Sequence, residues 1–152
     1  MQTDAIEILK ATRNNVLRVC EGLSLEKLNK IPSGFKNNMT WNVAHTLVTQ
    51  ELLCYGLSGN KGAYDTEYIE RYRKGTKPEK PMNSEEWDYV LDNLFSSIKR
   101  LEEDYEKGIF REFKEYATSY NYTVKSIDSA IVFNNSHEAM HLGTLLALRK
   151  FI

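Results

Sequence analysis

The fold class is decided by residues 83–108, NSEEWDYVLDNLFSSIKRLEEDYEKG. Large apolar side chains recur in this stretch at alternating spacings of four and three, which places them on one face of an α-helix: they are Trp87, Leu91, Leu94, Ile98, Leu101 and Tyr105. Asn83, with Glu86 three residues later, has the pattern of a helix-starting capping box, and Gly108 follows as a stop signal. The stretch therefore predicts an amphipathic helix with one core-facing side.

Three further segments have the same periodicity, and they are residues 6–23, 40–55 and 127–151. Arg13 is the one polar interruption of the first apolar face. Thr40 and Ser126 are the predicted N-cap residues of the other two helices. Four long amphipathic helices without a convincing sheet predict an all-α four-helix bundle, and the chain length predicts a single domain over residues 1–152.

Two connections in the sequence differ from the helical segments. Residues 60–82 are rich in Lys, Gly and Pro, and we expect them to form a long crossover between the second and third long helices, with a short helix near residues 66–73. Residues 109–125 are rich in aromatic side chains. Their pattern is compatible with a small hairpin or with an irregular aromatic cap before the last helix.

Composition excludes several classes of function. The formal net charge is −1, which argues against a broad electrostatic surface for DNA or RNA. The sequence contains neither an apolar run long enough to span a membrane nor an N-terminal signal pattern, so the expected location is cytoplasmic. Cys20 and Cys54 lie in helical patterns beside apolar residues, and we expect both to be small buried hydrophobes rather than ligands or nucleophiles.

The three histidines of the chain all occupy core-facing positions of predicted helices. His45 lies on the apolar face of the second long helix, and His137 and His141 lie on that of the last. Because His137 and His141 are four residues apart, their Cβ atoms are about 6 Å apart on one helix face. Two imidazoles at that spacing can bind one ion, and His45 is the predicted third ligand.

Two interpretations of these histidines remain open. Each can be a separate core residue whose ring is hydrogen-bonded by a backbone carbonyl or a tyrosine. Alternatively, the three rings meet at one divalent metal, since four-helix bundles build metal sites from inward-facing side chains on facing helices. Three imidazoles leave a coordination position open for water or substrate, and Zn²⁺ and Ni²⁺ both suit such ligands.

The stretch His137-Glu138-Ala139-Met140-His141 also satisfies the H-E-x-x-H pattern of metalloproteases. A protease of that type needs a third ligand downstream, and residues 142–152 contain no His, Asp or Glu. Glu138 is then a catalytic base, a partner of an imidazole or a solvated residue. Asn134, one turn before His137, is a further candidate for orienting a substrate.

Residues 34–45, which end in TWNVAH, together with HEAMHLG at 137–143, resemble the DinB/YfiT-like superfamily. The resemblance extends over nearly the whole chain in the order and spacing of its elements. It implies a compact four-helix bundle in which His45, His137 and His141 bind a divalent metal. It also implies a homodimer.

The resemblance further implies a reaction, because the better understood members of the superfamily are S-transferases that use thiols such as bacillithiol or mycothiol. The expected function is therefore metal-dependent transfer of a small thiol to an electrophile. A non-enzymatic metal-binding stress-response module is one alternative. A metal-dependent hydrolase with Glu138 as its base is another.

Overall fold

A computed structural model of the chain describes residues 2–152, and six α-helices make up most of that range. The helices are α1 (Gln2–Cys20), α2 (Leu25–Asn29), α3 (Met39–Glu51), α4 (Thr66–Tyr72), α5 (Ser84–Glu106) and α6 (Ile127–Leu148). The strands β1 (Tyr116–Ala117) and β2 (Thr123–Val124) form a small antiparallel hairpin before α6. The prediction of an all-α fold is confirmed.

The four long helices are α1, α3, α5 and α6, and they pack side by side. α1 lies against α6 and α5, and α3 lies against the same two helices. The chain passes from α3 to α5 through the predicted long connection, in which α4 is the expected short helix. Within residues 2–152, no helix combines the length and the apolar character that crossing a membrane requires.

The helix starts agree with the sequence at two of three predicted caps. Asn83 and Ser126 both form capping boxes, which satisfy backbone N–H groups that the first helical turn leaves free. The prediction of Thr40 as a cap is wrong, because α3 begins two residues earlier. Asn38 caps α3 by accepting a hydrogen bond from Trp41 N at 2.9 Å, and the Thr40 hydroxyl donates to the same Asn38 oxygen.

The second long helix also ends differently from the prediction. The α-helical hydrogen bonding of α3 ends at Glu51, and Leu52–Gly56 form a turn of π-helix. This wider turn buries Leu53, Cys54 and Tyr55 one after another, which an α-helix with a single buried face does not do.

The aromatic segment before α6 contains one of the two expected structures. Residues 116–124 form the hairpin, whose turn includes Asn121 in the left-handed region at φ 57°. The rings of Tyr120 and Tyr122 lie 5.5 and 6.2 Å from the ring of Phe133 on α6. The hairpin is therefore held against α6 by aromatic packing.

Arg13 is the centre of the helix packing, although the sequence marked it as an interruption. Its side chain is fully buried, with 0% of its surface exposed. Nε and Nη2 donate to the two carboxylate oxygens of Glu138 on α6, at 3.0 and 2.7 Å. The remaining N–H groups donate to Gln50 on α3 and to the Leu94 carbonyl and Ser97 hydroxyl on α5. One guanidinium thus joins all four long helices.

The burial of this ion pair makes it costly to break. Glu138 is 1% exposed, so the prediction that it could be a solvated residue is wrong. Removing one partner of a buried pair leaves the other charge without compensation, which costs about 3–5 kcal/mol.

Glu138→Ala should therefore lower the free energy of unfolding by about 3–5 kcal/mol, measured by urea denaturation. Glu103→Ala is the matched control, because Glu103 is exposed and its pairing with Lys99 at 3.9 Å contributes less than about 1 kcal/mol. Equal urea midpoints for the two variants would contradict the central role of the Arg13–Glu138 pair.

Candidate metal centre

The structure brings the three predicted histidines together between α3 and α6. His45 comes from the middle of α3, and His137 and His141 come from the middle of α6. Each ring offers one nitrogen, and these three nitrogens lie within 4.8 Å of one another. The Nε2 atoms of His45 and His137 are 3.3 Å apart. The cluster can therefore hold one metal ion.

Hydrogen bonds from outside the cluster orient two of the rings. Nδ1 of His45 lies 2.6 Å from the carbonyl oxygen of Tyr72, at the end of α4. A carbonyl oxygen only accepts, so Nδ1 carries the proton and Nε2 keeps a lone pair for a ligand bond. The long connection between α3 and α5 therefore has a role at the site, because it places the Tyr72 carbonyl beside His45.

His141 has the same arrangement with a side-chain partner. Its Nδ1 lies 2.8 Å from Oδ1 of Asn42. The Asn42 amide nitrogen donates to the Asn38 carbonyl and to Asn37 Oδ1, which leaves Asn42 Oδ1 as the acceptor. Histidines that bind metals usually donate their second N–H in this way. Nε2 of His141 is therefore free to bind an ion.

His137 supplies a test of whether a cation fits the cluster. Its Nδ1 is buried and has no hydrogen-bond partner among residues 2–152. The Nε2 of His137 faces the Nε2 of His45, and the lone pair of His45 Nε2 is directed at it. A proton on one of these nitrogens gives a single N–H···N hydrogen bond that serves this pair alone, whereas a cation among the rings is within reach of one nitrogen from each of the three histidines. The donor set therefore fits a metal ion.

The protonation state of the cluster is also suited to metal binding. Burial lowers the pKa of His137 to about 3, with further lowering by the charges of His141, His45 and Lys74. Burial, followed by the charge of His45, lowers the pKa of His141 to about 4. Burial also lowers the pKa of His45, although its hydrogen bond to Tyr72 opposes the shift. All three rings are neutral at neutral pH, as ligands must be.

Trp41 fixes the plane of the His45 ring. The two rings are stacked, with centroids 4.6 Å apart and an angle of 9° between their planes. The indole Nε1 donates to the Thr76 hydroxyl at 3.2 Å, which holds the indole in place. The hydroxyl of Thr49 lies 3.3 Å from His45 Nε2 on the side of the cluster that faces a cavity.

The cavity beside the histidines has a volume of about 360 Å³. All three histidines line it, so an ion bound there would be accessible to a small molecule. The hairpin region forms one wall, with Tyr116, Thr118, Ser119 and Tyr120. Apolar side chains form the others, among them Leu52, Leu53, Leu57, Phe133 and Met140. A mostly apolar cavity with a few convergent polar groups is the usual form of a ligand site.

The two residues predicted for catalysis occupy a different position. Neither Asn134 nor Glu138 lines the cavity. Asn134 donates from its amide to Glu138 Oε1 at 2.9 Å, and Arg13 occupies both carboxylate oxygens. The carboxylate therefore receives three hydrogen bonds on the buried side of α6. Its catalytic role stays a prediction without support from this geometry.

The two cysteines are free and buried, as predicted. Burial raises the pKa of the Cys20 thiol to about 11 and that of Cys54 to about 12. Both thiols are therefore protonated at neutral pH, which makes them poor nucleophiles and poor ligands.

Sequence reasoning missed the groups that support the histidines. Asn42 offered a signal, because it is a polar residue three positions before His45 in a largely apolar helix. The carbonyl of Tyr72 offered none, since any residue has a carbonyl and only the path of the chain brings this one to His45.

The chain was compared with protein families and with curated proteins. A family model described as the DinB superfamily matches residues 8–145, which include all three histidines. No curated protein matches the chain.

The pKa shifts predict the response of the metal-free protein to acid. In chelator-treated protein, ring-proton NMR should give midpoints of about 3 for His137 and about 4 for His141, far below the 6.5 of an exposed histidine. Because the unfolded chain takes up these protons near pH 6.5 and the folded protein only below about pH 4, stability should fall as the pH decreases through that window.

Only three histidines contribute ring signals, so His137→Gln and His141→Gln assign the resonances directly. A midpoint near 6.5 for either ring would contradict the neutral cluster.

Proposed function

The chain belongs to the DinB superfamily, and from this membership and the histidine cluster we propose that it is a metal-dependent transferase. On this proposal His45, His137 and His141 hold one divalent cation, Zn²⁺ or Ni²⁺, and the protein joins a low-molecular-weight thiol to an electrophile. The observation that carries the proposal is the meeting of three neutral imidazole nitrogens in the wall of a mostly apolar cavity.

The chemistry assigns distinct tasks to the site. When bound, a divalent cation supplies a positive charge that favours the deprotonated form of a coordinating thiol. In the transfer the thiol sulfur bonds to the electrophilic carbon, and the leaving group departs with its electron pair. The thiol proton goes to solvent, because the described residues lining the cavity include no carboxylate that could accept it and the histidine nitrogens that face the site would be occupied by the cation.

The protein's own residues orient the histidine rings and limit the access of water to the site. Tyr72 and Asn42 hold the rings of His45 and His141 in the ligand-ready tautomer. The Thr49 hydroxyl lies beside His45 Nε2, where it can donate a hydrogen bond to a reacting group. The apolar walls limit the water around the reacting atoms, which strengthens electrostatic interactions there.

Two alternative functions receive less support. A non-enzymatic module needs no cavity beside its ion, whereas the aromatic hairpin here forms one wall of such a cavity. Hydrolysis with Glu138 as base requires that carboxylate to reach a water near the histidines. Its oxygens are instead occupied by Arg13 and Asn134, so we infer that Glu138 and Asn134 hold α6 in position.

Three expectations from the sequence stay predictions: the cytoplasmic location, the homodimer and the single domain. For the homodimer, α6 exposes Val132 and Leu146 to solvent. Apolar residues on an outer helix face are the kind of surface that a second copy can cover.

Metal binding should depend on all three histidines. Elemental analysis of purified protein should find about one divalent ion per chain, and His45→Ala, His137→Ala or His141→Ala should each reduce that content strongly, because the remaining ligands bind an ion less tightly. Unchanged metal content in folded His45→Ala, with folding checked by circular dichroism, would break the three-ligand model.

A fluorescence measurement gives an independent readout, because Trp41 stacks on His45 and the chain has two tryptophans. Adding Zn²⁺ to chelator-treated Trp87→Phe should change the emission of Trp41. The same titration of Trp41→Phe, which leaves Trp87 as the reporter, should give little change.

Transferase activity should appear when metal-loaded protein is incubated with a panel of small thiols and a chloroarene acceptor. Conjugate formation should fall to background in His45→Ala, since the cation is no longer held. Absence of conjugate above that background for every thiol tested would count against the transferase proposal.

Glu138→Gln separates transfer from hydrolysis in the same preparations. We expect the variant to be less stable, but to transfer at an unchanged rate per folded molecule, because Glu138 does not line the cavity. Loss of a hydrolytic activity in folded Glu138→Gln would instead restore the carboxylate as a base.

A further inference from the structure

The walls of the cavity indicate the shape of its ligand. Tyr120 packs edge-on against Phe133, with ring centroids 5.5 Å apart, and its hydroxyl lies 3.5 Å from the sulfur of Met140. All three of these residues line the cavity. Aromatic edges and a thioether sulfur pack well against the face or edge of another ring. The surface therefore favours a flat apolar group over a strongly hydrated one.

The size of the cavity limits the ligand further. Its volume of about 360 Å³ is at the small end of the range for small-molecule sites. A phenyl ring with a short side chain occupies part of such a space, and the sulfur of a small thiol can still reach the histidines. All three histidines line this space, so a molecule bound in it lies beside them.

The charge of the cavity is carried by one residue. Of the lining residues that the structure describes, Lys74 is the one with a full charge, and none is a carboxylate. Lys74 follows α4 in the connection that also places Tyr72 on His45. The cavity thus has a positive side and no negative one.

We propose that the cavity binds a compact molecule with an apolar, aromatic-sized body and one anionic group, and that Lys74 recognises the anionic group. This inference rests on the proposed function for the role of the site, and it names the class of the electrophilic substrate. The apolar body packs against Phe133, Tyr120 and Met140. The anionic group points to Lys74 and away from the apolar walls. Cationic molecules of the same shape are disfavoured, since the described residues that line the cavity include no carboxylate to pair with them.

Three unreactive probes of matched shape test the proposal: 3-phenylpropanoate, 3-phenylpropanamide and 3-phenylpropylammonium. Binding is measured to chelator-treated full-length protein, so that coordination of the acid to a metal does not contribute. Ring-proton shifts of the three histidines locate the probe, because all three rings line the cavity. The acid should bind about two- to fivefold more tightly than the amide at low ionic strength, the range expected for an exposed lysine, and the ammonium should bind most weakly.

The variants assign the preference to one residue. Lys74→Gln should remove the preference for the acid, and Lys74→Glu should reverse it in favour of the ammonium. Lys77→Gln is the matched control, because Lys77 is an exposed neighbour that does not line this cavity. Added salt should reduce the preference of the wild type, since it screens an exposed charge.

The possible outcomes are distinct from those of the metal experiments. Equal binding of acid and amide, or an unchanged preference in Lys74→Gln, would overturn the anion subsite. Failure of all three probes to shift the histidine signals would overturn the apolar cavity as their site. Both results come from metal-free protein, so they are independent of whether elemental analysis supports the three-histidine metal site.

Discussion

The buried guanidinium of Arg13 is the interaction on which the rest of the structure depends. All of its N–H groups are used, on partners from three other helices. A buried charge is tolerated only when it is paired and hydrogen-bonded, so these partners cannot shift relative to α1 without a large loss of stability. The rotation of α6 about its own axis is fixed in this way, because Glu138 must face Arg13.

That rotation decides where the histidines lie. Successive residues on a helix are about 100° apart. With Glu138 directed at Arg13, His137 and His141 lie on a neighbouring face, where α3 presents His45. The HEAMH stretch that resembles a protease motif therefore divides into two functions: its glutamate belongs to the core, and its histidines belong to the candidate metal centre.

Irregular parts of the chain complete the site on this rigid base. The π-helical turn after α3 contributes Leu52 and Leu53 to the cavity, and the hairpin contributes another wall. The connection between α3 and α5 contributes the carbonyl of Tyr72 and the ammonium of Lys74. The helices thus hold the ligand nitrogens, while these irregular segments, together with Phe133 and Met140 of α6, line the cavity beside them.

The sequence by itself determined the long helices, the caps at Asn83 and Ser126, and the inward-facing positions of the three histidines, of which His45 is buried and His137 and His141 are partly exposed at the cavity. These features depend on spacing and capping between residues a few positions apart, so local patterns report them. Only the tertiary structure decided that Arg13 pairs with Glu138, that Tyr72 and Asn42 orient the rings, and that residues 116–124 form a hairpin beside the site. Periodicity tells which face of a helix is buried, but not what lies opposite; Arg13 and Glu138 are 125 residues apart, and their pairing exists only once four helices have packed.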